Sequence, residues 1–452
     1  MRVPVPEPSG SKRQRVSRIL EHFRDKVDVR HFEDIYRQIH QDPELSCLEH
    51  RTAQLAADHL IALGFNVHDK VGGHGVVGSL ENGQGPTVLL RADMDALPIQ
   101  EETQLSYAST KRMADVDGIE RPVAHACGHD MHVASLLATA CFLHAARACW
   151  SGRLLVLFQP NEERGGGARA MVKGGLYGAR GVPKPDVVLG QHIGSNKAGI
   201  LRIGSGPVLA GKRAFRVRIP GKGGHAGAPQ NAIDPVVTAC HTVIRLQVIA
   251  SRETDPNEMV VVTCGSIHAG DASNVIPDQA EMTVDIRAFS PEVLHKAVES
   301  MKRIIKAECD ASGIQEEPSI QETENVPPLI NDSEVTEPLR EQFLYTFGND
   351  MVQDMGRGMA SDDFSILAPD GVPYAYWNLG STDPALWRKY EREGRLHDLP
   401  SNHSPLFAPS IKPTLESAMS AMSVAALTFL ATLTLEGHEG VGVEDEIVCM
   451  WN

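Results

Sequence analysis

The stretch Ala124–His132 reads A-H-A-C-G-H-D-M-H and places a thiol, two imidazoles and a carboxylate between Cys127 and His132. Donors of this kind at this density are what divalent transition metals require, so the fold must turn this segment toward a common point. A buried cysteine and a histidine packed on an apolar helix also occur in ordinary cores, and the segment alone leaves both readings open. It does not stand alone. Glu162-Glu163 closes one predicted strand, His192 closes another, and His403 lies in a separate N-H-S-P turn. Ligand-type residues recur wherever a strand or loop ends, and together they point to a binuclear hydrolase.

At 452 residues the chain exceeds one typical domain and suits two. Its formal charge of −15, from 43 basic and 58 acidic residues, makes phosphate backbones and anionic lipid surfaces poor partners, and no basic stripe offsets it. The expectation is no nucleic acid and no membrane. Eight cysteines without a repeated spacing read as free thiols of a reducing compartment. The first residues, M-R-V-P-V-P-E-P-S-G-S-K-R-Q-R, carry charges and prolines where a signal peptide needs an apolar run, so a cytoplasmic location is expected. Sequons at Asn331 and Asn402 occur about as often as chance allows. Leu415 to Leu435 approaches membrane-spanning length, but Glu416, several hydroxyls and many small residues make it a helix packed on a sheet.

Along the chain, residues 1–30 are polar and read as an extension, as do residues 437–452. Helical spacing follows in His31–His40 and Cys47–Leu63, the latter stopped by Gly64. Short β-type runs then alternate with helices at Met131–Ala148 and Ala168–Lys173, with buried strands at Arg153–Phe158 and Asp186–Gly190. That alternation predicts an α/β sheet with parallel members, whose ligands bind beyond the carboxyl ends of the strands, where Asp93, Glu162, Glu163 and His192 fall. Between Leu209 and Asn325 the order becomes β-α-β-β-α, closed by a strand near Pro318–Thr323, which predicts a small four-stranded α+β domain. After Pro327-Pro328 the α/β texture returns. The division is therefore a discontinuous domain of residues 31–208 and 326–436, split by an insertion at 209–325.

Two divalent ions need about eight to ten ligand positions, filled partly by water and partly by bidentate or bridging groups, so five protein ligands suffice. Gly128 lets Cys127 and His129 point at one site, and the following helix N-terminus favours the thiolate, which can bridge two ions. Adjacent glutamates at a strand end point in different directions, so one of Glu162 and Glu163 can bind metal while the other faces water. Metal coordination lowers the pKa of water to around 7, and a nearby carboxylate can accept its proton and pass it to a leaving amine.

The runs R-A-D-M-D-A-L-P-I-Q-E, H-A-C-G-H-D-M-H-V-A, F-Q-P-N-E-E, G-K-G-G-H-A-G-A-P and N-H-S-P, in this order between Ile39 and Leu430, resemble the dimetal amidohydrolases and aminoacylases. That family includes hippurate hydrolases, bacterial N-acyl-amino-acid amidohydrolases and plant auxin-conjugate hydrolases. The resemblance implies a zinc-peptidase-like α/β/α catalytic domain with an inserted α+β dimerisation and lid domain of four strands and two helices. It implies two divalent ions (Zn, Mn, Co or Ni) on Cys127, His129, Glu163, His192 and His403, with Cys127 bridging. Glu162 matches the general acid/base and Asp95 an aspartate that orients a ligand. His225 matches a histidine that reaches the site from a partner subunit, where losing an oxyanion donor costs roughly 2.7–4 kcal/mol. Asn274 and Arg287 resemble contacts to the substrate carboxylate, although Arg287 reads equally well as a salt-bridge residue. The implied activity is hydrolysis of N-acyl or N-aroyl amino acids by a homodimer. A dipeptidase or carboxypeptidase of the same family, an amide-forming enzyme and a non-catalytic binding protein are the alternatives.

Several positions depart from or surround that pattern. Relatives use H-x-D where Asp93 and Asp95 stand, which leaves Asp93 beside the ligands and gives the imidazole role to His129. Asp130 and His132 suit packing or support of the ligands, and His40 suits the opening helix or the pocket rim. Ser361, Asp362 and Asp363 resemble a loop-shaping segment. Asn161 and Arg164 flank the paired glutamates, and Arg164 either selects an acidic substrate group or points to a surface carboxylate. Gly73–Gly78 matches G-x-G-x-x-G but precedes a strand, so it is a hairpin turn and not a dinucleotide site.

Overall fold

The computed structural model describes residues 10–178 and 181–431; the extension at 437–452 lies outside them. The chain divides into two compact units, one comprising residues up to Gly206, Asn331–Gly356 and the chain from Ile366, the other Pro207–Ile330 and Arg357–Ser365.

The first unit opens with α1 (Gly10–Phe23), α2 (Val29–Gln41) and α3 (His50–Ala62). Helix α1 differs from the expected polar extension: Val16, Ile19, Leu20 and Phe23 form an apolar stripe at helical spacing and are buried in the main core. The neighbouring lysine and arginines masked that stripe in the sequence. Asp28 caps α2 by accepting from the N–H of Arg30, and Phe32, Ile35, Tyr36 and Ile39 form its buried face. Strands β1 (Asn66–Val71), β2 (Gly75–Asn82) and β3 (Thr87–Asp93) follow, then α4 (His129–Ala145), β4 (Gly152–Gln159), α5 (Gly167–Lys173), β5 (Val187–Lys197) and β6 (Leu201–Arg202). Gly73–Gly78 forms the turn and first residues of the β1–β2 pair, as its sequence context required.

The second unit carries β7 (Gly211–Pro220), α6 (Pro235–Leu246), β8 (Val260–His268), β9 (Gln279–Ala288), α7 (Pro291–Ala311) and β10 (Ser319–Val326). Its antiparallel sheet runs β8-β9-β7-β10. Val217 pairs with Met282 and Phe215 with Val284, so alternate residues face α6 and α7, where Leu294, Val298, Met301 and Ile305 complete a separate core.

The first unit resumes with α8 (Ser333–Phe347), β11 (Val352–Gln353), β12 (Tyr374–Thr382), α9 (Pro384–Arg392) and α10 (Ile411–Leu430). The eight-stranded mixed sheet runs β1-β2-β4-β3-β5-β12-β6-β11. Its central strands β4, β3, β5 and β12 are parallel, and every residue of β3 is buried. Helices cover both faces of such strands, which is why T-V-L-L-R-A-D is continuous and not alternating. Helix α4 is buried from His129 to Leu143 and packs against α10, α2 and β3. Among the described residues, no helix is long and apolar enough to cross a membrane. Of the ligand-type residues expected at strand carboxyl ends, the position that open α/β sheets offer to a ligand, Asp93 alone ends a strand, β3; Glu162 and Glu163 follow β4 in a turn and His192 lies within β5.

Candidate metal centre

Gly128 is left-handed at φ +88° and forms the N-cap of α4, so His129 is the first helical residue. A Cβ on Gly128 would stand 3.3 Å from Cβ of Ile193 as well as straining the backbone, so only glycine suits this turn. The glutamate pair lies in a turn two residues beyond β4, not at the strand end, after Asn161 at φ +54°. His192 sits within β5, which continues to Lys197, opposite Asn378 of β12. His403 occupies a left-handed position at φ +70°, and its backbone N–H donates to the carbonyl of Ala126 at 2.7 Å.

These separate elements bring Cys127, His129, Glu163, His192 and His403 together. Cys127 Sγ is 3.6 Å from His192 Nε2, His129 Nε2 is 3.8 Å from Glu163 Oε1, and His403 Nε2 is 3.4 Å from Glu163 Oε2. Cys127 also has His129 and His403 as hydrogen-bonding neighbours. His129 is fully buried and His403 is 54 % exposed, so the cluster runs from the interior to a mouth. Cys127, His129 and Glu163 form one group whose donor atoms lie within 4.8 Å of one another.

The surrounding hydrogen bonds set the tautomers. His129 Nδ1 donates to the carbonyl of Asp95 at 2.8 Å, and His192 Nδ1 donates to the carbonyl of Ile193 at 2.9 Å. Both Nε2 lone pairs therefore face the cluster, the arrangement by which outer hydrogen bonds orient metal-binding imidazoles. His132 is different although it stands among Asp93, His129 and His192. Its Nδ1 is bonded to Asp93 and its Nε2 accepts the N–H of Ile193 at 2.8 Å, so neither nitrogen is left for an ion. His132 instead braces the backbone beside His192. Asp93 also pairs with the buried Arg91 at 2.7 Å, and its Oδ2 lies 3.5 Å from His129 Nε2.

Asp95 holds the glutamate turn. Its Oδ1 accepts the N–H of Glu162 at 3.1 Å and its Oδ2 accepts the N–H of Glu163 at 3.0 Å, together with the hydroxyl of Ser46 at 2.7 Å. The aspartate thus orients both glutamates through their backbone and His129 through its own carbonyl. Glu162 is 8 % exposed, with Oε2 3.8 Å from His129 Nε2. Asn402 ties three ligand segments together, since its Nδ2 donates to the carbonyls of Cys127 at 3.0 Å and Ile193 at 2.9 Å.

The electrostatics call for positive charge. Burial pushes the pKa of His129 down, yet Asp93, Cys127 and Asp95 outweigh it and raise it well above the usual imidazole range, so the surrounding anions favour a cation at its Nε2. Bonds to Cys127 and Glu163 raise His403 to about 10. Burial and Glu163 push the Cys127 thiol up, which opposes the helix N-terminus that the sequence suggested would favour thiolate. Nε2 of His129 and Oε1 of Glu163 are buried without a conventional hydrogen bond. A sulfur, three imidazoles and a carboxylate with unspent lone pairs fit a pair of divalent cations.

The model of peptidase family M20/M25/M40 matches residues 89–393. Thermostable carboxypeptidase 1 of Saccharolobus solfataricus is 36% identical over 391 residues, 84% of this chain and 92% of its own length. The chain belongs to peptidase family M20/M25/M40. Hippurate hydrolase of Campylobacter jejuni, another relative, is 38% identical over 343 residues, 74% of this chain and 84% of its own. Among solved structures, a Bacillus subtilis protein described as a dinuclear metal binding peptidase of the M20 family superposes with a TM-score of 0.67. It is 25% identical and covers 89% of this chain and 99% of its own. The mixed α/β fold with its large sheet is thus an M20 fold.

Of the remaining sequence candidates of this M20 chain, His225, Asn274, Arg287 and Asp362 lie in the second unit, and Arg164 and His40 in the first. His225 is exposed in a two-residue strand, and its Nδ1 accepts the N–H of Gly227 at 2.9 Å, so Nε2–H is left as the donor. Asn274 is exposed and its carbonyl accepts the N–H of Ala226 at 3.0 Å. Arg287 is engaged by Asp285 at 2.8 Å and by the carbonyl of Met359 at 2.6 Å. Asp362 caps Phe364 N–H at 2.9 Å. Arg164 is exposed, and its charge bears on Cys47. His40 is buried between Asp130 at 2.6 Å and Glu101 at 2.9 Å, which outweigh its burial and raise it to about 9. Sequence reasoning missed Ser46, Glu49 and Asn402. Only Asn402 had a local signal, as the residue before a ligand.

Proposed function

We propose that the chain hydrolyses the amide bond between an acyl or aroyl group and an amino acid at a two-metal site. Cys127, His129, Glu163, His192 and His403 would hold the ions, which would be zinc, manganese, cobalt or nickel. The observation that carries this reading is the convergence of these five donors, with the His129 and His192 lone pairs turned inward by Asp95 and Ile193. Ions held there supply Lewis acidity and lower the pKa of water to around 7. Glu162, fixed through its backbone by Asp95, takes the proton of the attacking water and returns it to the leaving amine. Hippurate hydrolase among the relatives supports the acyl-amino-acid substrate class, and the carboxypeptidase relative keeps peptides as the second reading. Hippurate, acetyl-methionine, indole-acetyl-alanine and dipeptides, each assayed with each metal, separate the two. Metal-dependent turnover of an acyl amino acid is expected; turnover of dipeptides alone moves the enzyme to the second reading, and none with any metal rejects both.

In this proposal the insertion at residues 209–325, within the second unit, is a lid and dimerisation domain, and His225 acts on the oxyanion of a partner subunit's substrate through its Nε2–H. Asn274 and Arg287 contact the substrate carboxylate. A homodimer is supported by exposed apolar side chains on the second unit, Val237 and Ile244 on α6 and Val261 and Ile267 on the edge strand β8. His225→Ala lowers kcat by about 10²–10³. Mixing it with Glu162→Gln restores roughly a quarter of wild-type activity, because each mixed dimer has one intact site. No recovery on mixing assigns His225 to its own subunit or to no role. A cytoplasmic location belongs to the same reading, supported by the free thiols of Cys47, Cys127, Cys141, Cys149, Cys240, Cys264 and Cys309.

A further inference from the structure

The connection between α2 and α3 lies beneath the glutamate turn and supplies it with a second carboxyl group. Glu49 is fully buried, and its Oε1 accepts two backbone N–H groups, from Cys47 at 2.9 Å and from Asn161 at 2.8 Å. Asp95 holds the next two N–H groups, those of Glu162 and Glu163, and is itself held by Ser46 from the same connection. Three successive N–H groups of a left-handed turn thus point at two neighbouring carboxyls, a concavity of the kind that binds anions. We propose that Glu49 is a positioning residue, which fixes the Asn161 peptide and through it the aim of Glu162 and Glu163. This rests on the hydrolase reading above.

The pair cannot readily carry two charges. Asp95 accepts bonds from Ser46, Glu162, Glu163 and the neighbouring His129, which outweigh its burial and keep it ionised. Burial and the Asp95 charge raise Glu49 to about 8, so Glu49 holds a proton at neutral pH and its Oε2 is buried without a partner. Cys47 is the other titratable neighbour: burial and the Glu49 charge push its thiol up, and the Arg164 charge pulls it down. Ionisation of Glu49 sets two anions side by side beneath the turn, and a displacement of about 1 Å in such a support can cost on the order of 10²-fold in rate.

Glu49→Gln keeps the oxygen that accepts from Asn161 and Glu49→Ala removes it. Glu49→Ala is expected to lose more than about tenfold in kcat with KM changed less than about threefold and metal content intact, whereas Glu49→Gln loses less than about threefold at pH 7. Wild-type kcat falls as pH rises through about 8, and Glu49→Gln lacks that fall. Stability gives a readout independent of activity. A carboxyl raised in the folded state contributes stability that is complete below its unfolded value of 4.5 and is lost as pH rises through about 8. The Tm of Glu49→Gln relative to wild type therefore climbs by roughly 5 °C or more from pH 5 to pH 8 and levels off above. Wild-type kcat in Glu49→Ala, equal losses in both folded variants, or a Tm difference flat in pH overturns the proposal. A wild-type protein inert toward every amide fails the hydrolase reading instead, and the Tm series still tests the placement of Glu49.

Discussion

Glu162→Gln is expected to yield a folded, metal-loaded protein that turns over about 10²–10⁴-fold more slowly, with KM little changed. The substitution keeps the shape of the side chain and leaves the backbone N–H that Asp95 accepts at 3.1 Å, so the turn and the neighbouring Glu163 stay in place. What disappears is the group able to take a proton at the edge of the cluster, 3.8 Å from His129 Nε2. An amide resists hydrolysis because its amine is a poor leaving group until protonated, and in the proposed reaction Glu162 delivers that proton. The measurement is kcat and KM with metal content determined on the same sample. Loss of metal together with activity reassigns Glu162 to the ligands, and undiminished kcat removes it from the mechanism.

His129→Ala is expected to abolish metal binding and activity together, beyond the 10–100-fold that loss of an outer-shell partner costs. The imidazole is the fully buried member of the cluster and stands against Asp93 at 3.5 Å and Glu163 at 3.8 Å. Its removal leaves those carboxylates and Cys127 clustered without their central donor, and uncompensated buried charge typically destabilises by about 3–5 kcal/mol. The Tm should fall, and added metal should protect wild type but not the variant, since a ligand stabilises only the state that binds it. His132→Ala is the control. That ring spends both nitrogens on Asp93 and Ile193, so its loss should weaken metal binding without abolishing it. A His129→Ala protein with full metal content would show that the five donors do not form the site.

Much of the site was legible in the residue order because its donors are chemically rare and stand in short runs. Cys127 and His129 announce themselves within one turn of chain, and Gly128 between them suits a left-handed backbone where a Cβ would be strained and crowd Ile193. Glu162, Glu163, His192 and His403 were legible as residues but not as neighbours; the resemblance of ordered motifs supplied their association. The α/β alternation anticipated the parallel strands, although the donors sit in turns, at a helix start or, for His192, within a strand, whereas α1 escaped notice because its basic residues hid Val16, Ile19, Leu20 and Phe23.

The amino-acid order by itself marked the candidate donors, the glycine turn and the alternation of strand and helix, since these depend on residue type and on spacing of a few positions. Tertiary structure decided which nitrogen of each imidazole faces the cluster, that His132 is a brace while His129 is free to bind, and that Ser46, Glu49 and Asp95 support the glutamate turn. Those outcomes are hydrogen bonds between residues such as Glu49 and Asn161, far apart along the chain and unmarked by any local pattern. Directional bonds of this kind exist only after the core has packed and brought their partners within about 3 Å.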